Sequence, residues 1–537
     1  MRIPVLVLTA FPLVLAASLE PLHRLHSAQS VYRALRAQRN VAARAPPANK
    51  SYSKDDFHVD GSKIPLLAET LQDSYAGVLP LTNQTNEQRQ MFFWYWPSSA
   101  KEGSDSVAIW LNGGPGCSSL VGFLNEQGAF LVNPHPGDLK VSANKYAWST
   151  VSDMLFIEQP IGVGFSRGPT DIKNEDDVAR DMYHFLQQFY AVFPDVLEKK
   201  LFITGESYAG YYIPYISQRI LNASDAEKKA LPIDLQGIMI NDGVYSDFVI
   251  AQYAPLAQFA TVHRETLELN DTALADLRTV SKECGFDALM GKLTYPPTGP
   301  IAVDNSSDTN ACIARVSAAY EAAFEANRCL NLYRITDKCP GFADRTPDYF
   351  TREDVVKALH VDGTGEWIEC AGGILRDEEG EIVDPSPFTE TLFPSLIEAL
   401  PRGVTIWHGL LDMLLIANGT RLTIQGMTWG GKQGFQAEPS QPLVVSGKNL
   451  GLQHSERGLT YYEVAEAGHM IPSDQPALAL EVFKTLIGKG NLTHTNGPKG
   501  SGGTSDGGSG DGTGAASSLS ASVLGLTLTG LLTLVIF

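Results

Sequence analysis

A serine that attacks a carbonyl needs a turn that exposes its hydroxyl, a histidine to take its proton, and a carboxylate to hold that histidine in one tautomer. The stretch Gly205-Glu206-Ser207-Tyr208-Ala209-Gly210 offers the turn. Small residues two positions either side of Ser207 allow a sharp strand-to-helix reversal, and a helix N-terminus behind the hydroxyl favours developing negative charge. Ala209 stands where the generic pattern has glycine and is still small. Asp412, closing Thr405-Ile406-Trp407-His408-Gly409-Leu410-Leu411-Asp412, and His469, in Ala467-Gly468-His469-Met470, are the candidate carboxylate and base. His408 competes, but its place at the end of an apolar run suits packing better than proton transfer. Together such groups would carry out acyl transfer through a serine ester.

The elements that must position them follow from the apolar patterning. Val107-Ala108-Ile109-Trp110-Leu111, Met154-Leu155-Phe156-Ile157 and Leu201-Phe202-Ile203-Thr204 are short continuous apolar runs ending in Gly-rich turns. Runs of this kind predict strands buried on both faces. Helical stretches lie between them, such as residues 176–193. The alternation predicts an α/β fold with a mainly parallel central sheet and helices on both faces. Ser207, Asp412 and His469 occur in the chain order that α/β-hydrolases use.

The 537 residues carry 41 Lys and Arg against 60 Asp and Glu, a net charge of −19, with 44% hydrophobic residues. That acidity, with no basic run interleaved with aromatics, argues against nucleic-acid binding. Residues 1–17 have the charged start, apolar run and small-residue end of a secretory signal. Residues 18–50 hold six basic residues and one acid and read as either a pro-segment or a disordered arm. The hydrolase core is expected in two parts, 51–244 and 386–490, split by an insertion over 245–385. Residues 491–522 form a Gly- and Ser-rich stalk, and 523–537 are an apolar tail. This order resembles a glycosylphosphatidylinositol signal, with Gly514 as the acceptor and the tail removed.

Tripeptides for N-glycosylation begin at Asn49, Asn83, Asn222, Asn270, Asn305, Asn418 and Asn491. Six cysteines in a secreted chain predict three disulfides rather than a metal site. Four of them, Cys284, Cys312, Cys329 and Cys339, cluster in the insertion, which reads as a lid stapled to itself.

Three separated motifs, Trp110-Leu111-Asn112-Gly113-Gly114-Pro115-Gly116-Cys117-Ser118-Ser119, the Ser207 turn, and Gly468-His469-Met470 with Pro472, resemble the serine carboxypeptidases, in particular secreted, lipid-anchored fungal members. The similarity spans about residues 75–487. It implies an α/β-hydrolase fold with an inserted lid and an extracellular exopeptidase, favouring acid pH, that releases single residues from peptides with a free C-terminus. No cofactor or metal is implied. Carried over by position, Ser207 is the nucleophile, His469 the base and Asp412 its carboxylate. The amides of Gly114 and Tyr208 form the oxyanion hole. Asn112, the Gly113 amide, Glu126 and Glu206 bind the terminal carboxylate, and Met470 borders the leaving-residue pocket. Two acids can bind an anion only if crowding and burial keep them protonated. The resemblance also pairs Cys117 with Cys370, and the remaining four are expected to nest as Cys284 with Cys339 and Cys312 with Cys329. Glu158 departs from the family's usual Asp. Gly162-Val163-Gly164 resembles half a dinucleotide loop but lacks the third glycine.

Two other functions use the same features. An acyltransferase would pass the acyl group to an alcohol, and an inactive surface glycoprotein would only bind. Membrane association, in either case, would come through the lipid anchor.

Overall fold

The computed structural model describes residues 52–492, apart from 136–137, 304–306, 328, 339–346, 372–373, 376–383 and 491. The signal 1–17, the arm 18–50, the stalk beyond Leu492, Gly514, the tail 523–537, Cys339, Asn49, Asn305 and Asn491 lie outside the described residues.

The apolar runs become strands of one eleven-stranded sheet. In chain order these are β1 (His58–Val59), β2 (Ser74–Pro80), β3 (Gln90–Trp96), β4 (Ser106–Leu111), β5 (Asp153–Glu158) and β6 (Lys200–Glu206). There follow β7 (Asp234–Asn241), β8 (Val404–Gly409), β9 (Gln441–Val445), β10 (Lys448–Glu456) and β11 (Leu459–Val464). The spatial order is β1-β2-β3-β5-β4-β6-β7-β8-β11-β10-β9. The middle block from β5 to β11 is parallel, as expected. Both margins are antiparallel, so the sheet is mixed. The physical reason on one side is loop length. β9 and β10 are joined by Ser446-Gly447, and β10 and β11 by Arg457-Gly458, all four at positive φ. Two-residue turns of that conformation permit only a hairpin.

Side-chain alternation divides the interior. Val107, Ile109 and Leu111 of β4 join one core, while Ala108 and Trp110 join the other. The first core is covered by α1 (Glu175–Val192) and α2 (Ala209–Leu221), through residues such as Phe185, Phe189, Ile213 and Ile216. Asn174 caps α1 by accepting from the Asp177 amide at 3.0 Å, with three acids in the first turn, an arrangement that satisfies the helix dipole.

The chain between β7 and β8 carries the insertion, whose main helices are α3 (Asp271–Glu283) and α4 (Ser307–Ala326). A third apolar cluster holds Leu256, Leu274, Leu277, Val316 and Leu332 against Leu411 and Met413 of the loop after β8. Tyr349, Phe350, Leu359 and Trp367, grouped with the insertion on sequence, pack instead into the second main core, which α5 (Pro476–Leu486) also covers. Among the described residues no helix is long and apolar enough to cross a membrane.

Cys117 bonds Cys370, as the family resemblance implied. The nested lid pairing is wrong, because Cys284 bonds Cys312. Cys284 ends α3 and Cys312 lies on α4, and packing of these two helices brings their Cα atoms to 5.6 Å.

Candidate functional site

Ser207 sits between β6 and α2 with φ +61°. An L-residue is held there only when its surroundings over-determine it. The Ser207 amide donates to Asn241 O at 2.9 Å, and its carbonyl accepts from the amides of Gly210 and Val244. Gly205 has no room for a side chain, since a Cβ would lie 2.2 Å from Leu111 O and 2.9 Å from the Ala209 methyl.

The turn after β4 presses on this elbow. A Cβ on Gly113 would fall 2.3 Å from the Tyr208 nitrogen and 2.9 Å from Glu206 O. Gly114 adopts φ +117°. Glycines are thus required where the two turns meet, and the contact brings the Gly113-Gly114 backbone to the amide following Ser207. The Tyr208 ring stacks on Tyr211, and its hydroxyl donates to Asp384.

His469 and Asp412 are joined directly. His469 Nδ1 lies 2.7 Å from Asp412 Oδ2, and both side chains are buried. Asp412 Oδ1 accepts from the amides of Leu414 and Leu415, so the carboxylate is locked and the proton on the imidazole belongs at Nδ1. Burial pulls the imidazole down, but the Asp412 carboxylate and the Glu206 charge outweigh it and hold His469 above its ordinary value. Gly468 lets the loop approach the insertion, because a Cβ there would lie 2.0 Å from Tyr333 O. The His469 amide donates to that carbonyl at 2.7 Å, and its ring meets the Tyr333 ring edge-on. Met470 follows, half-buried. His408 is fully buried, with Nε2 2.7 Å from Leu415 O and Nδ1 2.9 Å from Thr420 Oγ1, a packing role.

Asn112, Glu126 and Glu206 converge beside this set. Asn112 Oδ1 accepts from Trp110 Nε1 and the Gly122 amide, which aims its Nδ2 at Glu206 Oε1, 2.7 Å away. Glu206 Oε2 accepts from Asn241 Nδ2 at 3.2 Å. Glu126, on the turn Phe123–Gln127, is 2% exposed, and among the described residues neither carboxyl oxygen has a donor in reach. Its neighbour is the Glu206 carboxyl. Two acceptors facing each other are satisfied only if one carries a proton. Burial first, then the Glu206 charge, pushes Glu126 well above the carboxylate range. Burial raises Glu206 to about 7, against the lowering pull of His469, Asn241 and Glu126. Near neutrality the pair is a hydrogen-bond donor rather than two anions.

Asn241, at the end of β7, escaped the sequence reading. Its carbonyl holds Ser207, and its amide holds both Glu206 and the His469 carbonyl at 3.0 Å. It ties the serine turn to the His469 loop, and only its place at the end of an apolar strand could have drawn attention to it. Tyr333 was missed too, in a stretch of the insertion with no distinguishing pattern.

Glu158 lies outside this constellation. Buried, and raised to about 7 by that burial, it accepts from Ser118, the Phe165 amide and Trp367 Nε1. It ties the motif turn to the segment holding Cys370. Gly162 and Gly164, both at positive φ, serve the loop beyond it. Of the glycosylation tripeptides, Asn83, Asn222 and Asn270 are exposed, whereas Asn418 is half-buried and the Thr420 of its tripeptide is buried against His408.

A family model described as serine carboxypeptidase matches residues 65–489. A probable serine carboxypeptidase of Arthroderma benhamiae is 34% identical over 532 residues, covering 90% of this chain and 98% of the relative. The serine-type carboxypeptidase F of Aspergillus niger is 32% identical, covering 84% and 92%. Among solved structures, a prohormone-processing carboxypeptidase from Saccharomyces cerevisiae superposes with a TM-score of 0.63 at 22% identity, covering 83% of this chain and 100% of that one. This last likeness carries the fold, an α/β-hydrolase with a large mixed sheet.

Proposed function

The chain belongs to the serine carboxypeptidase family, and we propose that it releases single residues from the free C-terminus of peptides through an acyl-enzyme on Ser207. His469, held by Asp412, takes the Ser207 proton as Oγ bonds to the last peptide carbonyl carbon. The amides of Gly114 and Tyr208 stabilise the oxyanion, a contribution of about 100- to 1,000-fold per donor. The C–N bond then breaks, the amine leaves with the proton from His469, and water repeats the sequence to free the acid.

The observation that carries the exopeptidase reading is the buried set of Asn112, Glu126 and Glu206 beside the Asp412–His469 pair. Protonated carboxyls and an amide, with the Gly113 N–H, suit a peptide's terminal carboxylate. An acyl acceptor alcohol would give such a set no purpose. Met470 borders the pocket for the released residue. We also assign the chain to the secretory pathway, with glycans on the exposed Asn83, Asn222 and Asn270 and a lipid anchor at Gly514 holding it at the cell surface. Labelling of Ser207 by an organophosphonate, lost in Ser207→Ala and His469→Ala, tests the nucleophile. Lack of labelling in a folded wild type is the outcome expected of an inactive glycoprotein.

A further inference from the structure

Asp412 has a second acid beside it. Asp242, the first residue after β7, is fully buried at φ +42°. Its Oδ1 accepts from the Gly409 amide at 2.8 Å and lies 3.2 Å from His408 Nε2, while among the described residues Oδ2 has no donor in reach. Candidate ligand atoms of Asp242, His408 and Asp412 all lie within 4.8 Å of one another. A cation fits this trio poorly, because His408 Nε2 is engaged by Leu415 O and Nδ1 by the Thr420 hydroxyl. The trio is better explained by a shared proton.

Two adjoining carboxyls in dry surroundings do not both ionise. Asp412 already accepts three donors, from the Leu414 and Leu415 amides and His469 Nδ1. Asp242 has fewer donors and one bare oxygen. We propose that Asp242 is a positioning residue for this site, held as a neutral carboxylic acid whose Oδ2–H donates to the Asp412 carboxylate. The proposal rests on the reading of Asp412 as the partner of the base. Burial, and next the Asp412 charge, push the Asp242 carboxyl well above its ordinary range. The donated proton draws charge from Asp412, weakens its hold on the imidazolium, and lets His469 remain a neutral base at lower pH. The other titratable groups facing the pair are His408, His469, Glu206, Tyr245, Tyr320 and Tyr333.

Two substitutions and one spectrum test this. Asp242→Asn keeps an acceptor for Gly409 and a donor for Asp412, so the acid limb of kcat/KM stays at the wild-type pH. A limb displaced to lower pH means that a negative charge was removed, and overturns the proposal. Asp242→Leu removes the donor, and the limb moves up by about one pH unit. A folded Leu variant with an unmoved limb also overturns it. If the Leu variant fails to fold, the infrared difference between wild type and Asp242→Asn still decides. Loss of a protonated-carboxyl C=O band supports the proposal, and loss of a carboxylate band contradicts it. The spectrum needs no turnover, and retained activity in Ser207→Ala would mark failure of the triad reading separately.

Discussion

Raising the pH should cost this protein its grip on the substrate before it costs the chemistry. Glu206 keeps its proton to about 7 and Glu126 keeps its own above the usual carboxylate range. Because these are acids whose protonated forms bind, affinity is full below neutrality and is lost as pH climbs through 7. If binding needs the Glu206 proton, the competent fraction at pH 8 is roughly one in ten, and KM for a blocked dipeptide rises about tenfold over its value at pH 6. The rise has a ceiling. A hydrogen bond to a charged group is worth about 1.5–3 kcal/mol, which limits the loss to roughly 10- to 150-fold. The assay is initial-rate kinetics on an N-blocked dipeptide from pH 5 to pH 8.5. In the Glu126→Gln/Glu206→Gln double variant, side-chain amides donate at every pH and KM becomes independent of it. A wild-type KM constant between pH 5 and pH 8, or a double variant that keeps the rise, refutes the reasoning.

Further outcomes follow from the same geometry. Asp412→Asn removes the anion that fixes His469 Nδ1–H, and kcat should fall about 10⁴-fold with the fold retained, as circular dichroism and single-turnover rates will show. Gly113→Ala places a methyl 2.3 Å from the Tyr208 nitrogen. Displacing the two turns should lower kcat by about 100- to 1,000-fold even where the variant folds. Cys284–Cys312 closes a segment of 28 residues, so Cys284→Ser/Cys312→Ser should lose about 3–4 kcal/mol of stability on denaturant titration. Non-reduced peptide mapping of the wild type should recover Cys284 linked to Cys312, and a Cys284–Cys339 peptide would reject the packing of α3 against α4.

Much of the site was legible because its chemistry is local in the chain. The Ser207 elbow, the Gly113-Gly114 turn and Gly468 each announce a backbone that must come close to something, and the fold supplies the atom approached. The acids could be named but not their protonation, which depends on burial and on which oxygens lack donors. Asn241, Asp242 and Tyr333 were not legible, since their roles arise only when β6, β7 and the loops before Asp412 and His469 meet. The antiparallel edge went unread, although Ser446-Gly447 and Arg457-Gly458, two-residue turns with glycine second, are its signal in the chain. The Cys284–Cys312 bond was not legible, since the pairing is set by how α3 and α4 pack, and spacing along the chain carries no trace of that.

The central claim, that a serine ester forms at the last peptide bond of a chain whose free carboxylate is read by buried acids, is tested by comparing one N-blocked dipeptide with its C-terminal amide at pH 5. Release of the free C-terminal amino acid from the acid, much slower reaction of the amide, and neither in Ser207→Ala is the predicted result. Equal turnover of acid and amide, or release that survives loss of Ser207, would contradict it.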